Sequence, residues 1–115
     1  MSLPSVEYVL KSKPYVEVVT LTAFKKILSE NQSVAVDFFA TWCGPCKMMS
    51  PIFIEMAKKY PHVKCVKVDV DQGQEVAQEY RVTAMPTFKF FKRGVLVAEF
   101  CGANPQKLEE EFKKL

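Results

Sequence analysis

A strand that is apolar on both faces runs directly into a helix whose first turn carries two cysteines. Residues 34 to 40, VAVDFFA, are apolar at alternate and intervening positions alike, with Asp37 as the one exception. Such a run predicts a central strand covered by other layers on both sides. From Cys43 to Tyr60 the apolar residues Met49, Ile52, Phe53, Met56 and Tyr60 recur with a helical period, so one of those covering layers is predicted to follow at once. Pro51 inside that stretch is expected to kink it. Any fold available to this chain must therefore have a buried strand at its centre and a helix laid back against it.

The rest of the chain supplies the remaining layers. YVEVVT, residues 15 to 20, predicts a first strand, and Thr22 is expected to cap a helix over AFKKIL, where Phe24, Ile27 and Leu28 share a face. VKCVKVDV, residues 63 to 70, is short and rich in β-branched residues, hence a strand, and EVAQEY after Gly73 predicts a brief helix from Glu75 to Tyr80. Residues 87 to 92 and 95 to 101 flank a turn with Gly94 near its tip, the pattern of an antiparallel hairpin. Asn104 is placed to cap a last helix, with Leu108, Phe112 and Leu115 along one side. Strands and helices alternating in this way predict an α/β domain, a mixed sheet between helices. At 115 residues there is room for one such domain and one core.

Charge excludes several classes of partner. The net charge is +3, and the 16 Lys and Arg are dispersed among 13 acidic residues, so there is no basic stripe of the kind that binds nucleic acid. No apolar run approaches the roughly 20 residues that span a bilayer. The first residues lack a signal peptide's apolar block, contain no Arg and include Glu7, which speaks against a presequence. The expected location is the cytoplasm, or an organelle if a targeting segment has been removed. The four cysteines are then expected to be reduced, reactive thiols and not structural staples.

TWCGPCK, residues 41 to 47, carries the chemistry. A helix N-terminus presents unpaired N–H groups and partial positive charge, which favour thiolate at Cys43. Cys46 lies one turn further in on the same side, near enough to bond to Cys43 and more shielded from solvent, so it is suited to resolve a mixed disulfide. Gly44 and Pro45 limit the backbone between them, and a proline in the first turn sacrifices no hydrogen bond. Half of a zinc site is the alternative for two cysteines so spaced. Zinc ribbons offer a second close pair, however, whereas Cys65 and Cys101 stand far apart within strands, so no metal is expected. Asp37, between Val36 and Phe38, is expected to be buried. An isolated carboxyl in an apolar wall keeps its proton to higher pH and can exchange it with Cys46.

VDFFATWCGPCK, MPT at residues 85 to 87 and FCGAN at 100 to 104 together resemble the thioredoxin family, from about Tyr15 to Leu115, leaving residues 1 to 14 as an N-terminal extension. The resemblance implies the thioredoxin fold, a five-stranded mixed sheet flanked by four helices. It implies reduction of disulfides in protein substrates through Cys43 and Cys46, with no cofactor of the protein's own; NADPH would act only through a thioredoxin reductase. Diverse disulfide-containing proteins, peroxiredoxins among them, are the implied partners. Asp37 would transfer a proton and Lys67 would tune it. Pro86 would be the cis proline facing the cysteines, leaving the Met85 backbone free to pair with an extended substrate. Trp42, Gly44, Pro45, Met85, Gly102 and Ala103 would form an apolar collar for docking. Two residues depart from the usual pattern: Phe39 stands where a tryptophan or a small residue is common, and Met85 where a β-branched residue or threonine is. Gly73, Tyr80 and Ala84 occupy the places of the additional cysteines of vertebrate thioredoxins.

Two cysteines remain. Cys65, between valines, is expected in the core. Cys101 ends the outer strand and is expected to half-pack; if exposed, it becomes a regulatory candidate that joins an otherwise monomeric chain into a disulfide-linked dimer or takes up glutathione. His62 follows Pro61 in a loop and is given no role. The competing functions are a domain that forms or isomerises disulfides, against which the Gly-Pro dipeptide and the absence of histidine between the cysteines argue, and a binding module for which the redox pair is incidental.

Overall fold

The computed structural model describes residues 13–115; the extension expected over residues 1 to 14 lies outside them except for Lys13 and Pro14. In chain order the elements are β1 (Val16–Glu17), α1 (Leu21–Glu30), β2 (Ser33–Phe39), α2 (Gly44–Lys59), β3 (Lys64–Asp69), α3 (Gln74–Glu79), β4 (Thr87–Lys92), β5 (Val95–Cys101) and α4 (Pro105–Lys113). The five strands form one sheet in the order β1-β3-β2-β4-β5. β1 and β2 run parallel to β3, while β4 is antiparallel to both β2 and β5. This is the predicted α/β architecture, with β2 at its centre.

The double-sided apolar pattern of β2 is explained by its two faces. Val34, Val36 and Phe38 point into a core with Val66, Val68 and Phe91 of the sheet, Phe24 and Leu28 of α1 and Val76 of α3. Ala35 points the other way, among Phe88, Phe90 and Cys65 of the sheet, Met49, Phe53 and Met56 of α2, and Leu108 and Phe112 of α4. Phe53 packs on Phe88 and Phe112 with ring centroids 6.1 and 5.9 Å apart. Each such ring, fully enclosed, contributes about 1.5–3 kcal/mol of burial, which is how a chain this small holds a sheet between two helical layers.

Several boundaries differ from the sequence expectation. The strand predicted over residues 15 to 20 forms a ladder only at Val16 and Glu17, with one further bond from the Val18 N–H to the Lys67 carbonyl at 3.0 Å; Thr20, not Thr22, caps α1, its hydroxyl accepting the Ala23 N–H at 3.2 Å, and the helix begins at Leu21. Pro51 lies inside α2, which runs on to Lys59. The hairpin of β4 and β5 has the expected bounds, with one register irregularity at Phe90/Phe91.

Candidate active site

Where β2 ends, the chain turns through Ala40 to Trp42 and enters α2. Cys43 is the N-cap: its backbone is extended, and its Sγ accepts the Cys46 N–H at 3.2 Å. A sulfur in that position receives one of the helix's unpaired N–H groups and faces its positive end, both of which stabilise negative charge. Pro45 occupies the first turn, where no N–H is needed. Cys43 and Cys46 are joined by a disulfide, their Cα atoms 5.2 Å apart.

The pair is less open than the sequence suggested. Cys46 was expected to be the more shielded of the two, yet Cys43 is only 6% accessible and Cys46 4%, because Ala40, Phe39, Val70 and Met85 close round them. Exposure therefore does not separate the two sulfurs; the N-cap hydrogen bond does. Met85 and Pro86 are joined by a cis peptide bond, and the Met85 carbonyl oxygen lies 3.6 Å from Cys43 Sγ. Around this slot Trp42, Gly44, Pro45 and Ala103 are exposed, Met85 and Gly102 half-buried and Pro86 buried. A Cβ added at Gly44 would meet nothing within 4 Å, so that position faces open space at the rim of the slot. Gly102 has φ +99°, a conformation glycine adopts without strain, and its N–H donates to the Pro86 carbonyl at 2.9 Å, fixing one loop to the other.

Asp37 is 1% accessible, and neither carboxyl oxygen has a hydrogen-bond partner among the described residues. Burial pushes its pKa from the usual 3.8 up to about 7, against a smaller downward pull from the Lys67 ammonium. Lys67, level with Asp37 on the neighbouring strand, is itself buried. Two polar contacts escaped the sequence. Trp42 Nε1 donates to Asp71 Oδ2 at 3.0 Å, which holds an indole that is 66% exposed; Lys67 Nζ donates to Ser50 Oγ at 2.7 Å. Neither Asp71 nor Ser50 belongs to a motif, and only the fold brings them to their partners.

Of the other cysteines, Cys65 is buried as expected, and burial pushes its thiol up to about 12. Cys101 corrects the expectation of half-packing: it is exposed. Its strand β5 is the sheet edge, and on the face it shares with Glu99 the core of α1 and α3 takes in no residue of β5. Its Sγ lies 3.4 Å from Thr87 Oγ1. In the disulfide form a chromogenic thiol reagent should thus titrate one rapid thiol per chain. Cys101→Ser should titrate none without denaturant; a rapid thiol persisting in that variant would place Cys65 within reach of solvent.

A disulfide between the cap of a helix and its first turn, at the end of a central strand and with an unpaired carboxyl in the sheet below, defines a thiol–disulfide oxidoreductase of the dithiol type. The thioredoxin family profile matches residues 15–114. Mitochondrial thioredoxin-3 of Saccharomyces cerevisiae is 42% identical over 113 residues, covering 98% of this chain and 89% of the yeast protein. Human thioredoxin is 51% identical over 96 residues, 82% of this chain and 91% of its own. A structure solved for the thiol resolving mechanism in yeast mitochondrial 1-Cys peroxiredoxin via glutathione/thioredoxin systems superposes with a TM-score of 0.85 at 44% identity, over 88% of this chain and 95% of that one. The chain belongs to the thioredoxin family and is a protein-disulfide reductase.

Proposed function

We propose that Cys43 is the attacking thiol and Cys46 the resolving one. The Cys43 thiolate adds to one sulfur of a substrate disulfide and releases the other as a thiolate; Cys46 then attacks Cys43, forming the intramolecular disulfide and freeing the second substrate thiol. Two electrons pass to the substrate. The observation that carries this assignment is the Cys46 N–H held on Cys43 Sγ at the helix end. Asp37 takes the proton from Cys46 as it attacks and returns it in the reverse step, a role supported by its burial and raised pKa; Lys67 tunes that carboxyl. Trp42, Gly44, Pro45, Met85, Pro86, Gly102 and Ala103 receive the substrate, with backbone pairing at Met85 giving broad specificity.

The domain spans residues 15–115 and works as a monomer through its own dithiol, without metal or bound cofactor. Electrons come from NADPH by way of a thioredoxin reductase, and peroxiredoxins are among the proteins reduced, in keeping with the peroxiredoxin study whose structure superposes on this one. The protein serves electron transport and redox balance in the cytoplasm, or in an organelle, in keeping with a yeast relative that is mitochondrial. Peroxide or oxidised glutathione engages Cys101, giving a covalent dimer or a glutathione adduct that masks the collar.

Insulin reduction tests the direction and the electron source together. With NADPH and reductase present, NADPH oxidation should require this protein and insulin both. Insulin reduction that proceeds from dithiothreitol but not from the reductase would overturn the electron source; failure from both would leave the oxidising or isomerising role in its place.

A further inference from the structure

Asp37 and Lys67 are direct register partners on β2 and β3, and both are buried, at 1% and 7% accessibility. Opposite charges taken out of water together are stable only when paired or otherwise hydrogen-bonded. These two are not paired with each other. Both Asp37 oxygens lack a partner among the described residues, and the Lys67 ammonium is turned to Ser50 Oγ at 2.7 Å, with the rings of Phe39 and Tyr15 at 4.7 and 5.4 Å from Nζ. Ser50 lies on α2 one turn after Cys46, and with Cys46 and Lys67 it lines a cavity of about 220 Å³.

We propose that Ser50 is a positioning residue: its hydroxyl draws the Lys67 ammonium away from Asp37 and so leaves the carboxyl free to take up and release a proton in exchange with Cys46. This rests on the assignment of Asp37 as the proton partner of Cys46. Without the hydroxyl, a buried ammonium loses its one oxygen acceptor among the described residues and must find another. The uncommitted acceptor at the neighbouring register position is the Asp37 carboxylate. An ion pair there would favour the charged carboxylate and hold it unprotonated. Asp69, two residues beyond Lys67 on β3, is buried and its Oδ1 accepts the Asp71 N–H at 2.9 Å. Asp37 has Phe88 of β4 on its other side; α2 contributes Cys46, Lys47 and Ser50 to the cavity; and the buried Glu111 of α4 is paired with Lys107 and Lys114. Lys67 is the charged group that moves the Asp37 equilibrium.

The test is a carboxyl-carbon NMR titration of Asp37 in the disulfide form, where Cys43 and Cys46 have no proton to exchange. In Ser50→Ala, which favours the helix, the midpoint should fall by about one pH unit or more, the effect of an opposite charge brought into contact. Ser50→Thr, which keeps the hydroxyl, should restore the wild-type midpoint. In a Lys67→Met background Ser50→Ala should add nothing. A midpoint unchanged or raised in Ser50→Ala, or a fall that persists without Lys67, overturns the proposal. The pH profile of insulin reduction separates it from its premise. If the midpoint falls but the profile stays, Ser50 positions Lys67 as stated and Asp37 is not the proton partner. If the profile moves and the midpoint does not, Ser50 acts otherwise and the proposal is wrong.

Discussion

Cys46→Ser will hold protein substrates on the enzyme as mixed disulfides through Cys43, and Cys43→Ser will hold none. Both variants lose turnover, since each removes one of the two sulfurs that must form the final disulfide, but they stop at different points. With Cys46 replaced, attack proceeds and release does not. With Cys43 replaced, the sulfur left is that of Cys46, which does not occupy the cap position where Cys43 Sγ receives the Cys46 N–H. The adducts are read on non-reducing gels, and competition with iodoacetamide on the reduced wild type gives the kinetic counterpart: Cys43 should be alkylated far ahead of the other three cysteines. Because accessibility barely distinguishes Cys43 from Cys46, the selectivity must come from thiolate character. Substrates trapped by Cys43→Ser and released by Cys46→Ser would reverse the assignment.

Asp37→Asn is expected to slow disulfide reduction on the order of a hundredfold near neutral pH, within the usual contribution of a positioned proton-transfer group, while making the protein more stable. The two effects have one origin. The folded-state pKa of about 7 lies above the usual 3.8, so the folded protein retains a proton that the unfolded chain has lost. Below about pH 3.8 the carboxyl is neutral in both states and folding bears no penalty. Between pH 3.8 and 7 stability falls as pH rises, and above 7 the full penalty applies, roughly 4 kcal/mol at 1.36 kcal/mol for each pH unit of difference. Asparagine keeps the shape without the charge. Denaturant unfolding should therefore show Asp37→Asn more stable than wild type at pH 8, with the gap closing towards pH 4. A variant less stable at pH 8, yet equally fast from pH 6 to 8, would make the carboxyl structural.

What the sequence determined on its own is whatever depends on short stretches of chain. β2 was legible because Val34 to Phe39 are apolar on both faces, and only a doubly covered strand tolerates that. The β4–β5 hairpin was legible from its turn, α2 and α4 from their apolar spacing, and the Cys43–Cys46 pair from its place at a strand-to-helix junction, since caps and turns are set by neighbouring residues. The burial of Asp37 followed from the same periodicity. Tertiary structure decided the rest. β1 keeps only two residues because only Val16 and Glu17 find ladder partners on β3. Cys43 is covered because Met85, which is distant in sequence, folds over it. Cys101 is open because no residue of its edge strand enters the core under α1 and α3. Lys67 turns to Ser50 and Trp42 to Asp71 because a buried ammonium and an exposed indole take the acceptors that packing brings within reach. A side chain's partner across the fold leaves no period in the sequence, and it is these long-range contacts that set the ionisation of Asp37 and the shape of the slot around the disulfide.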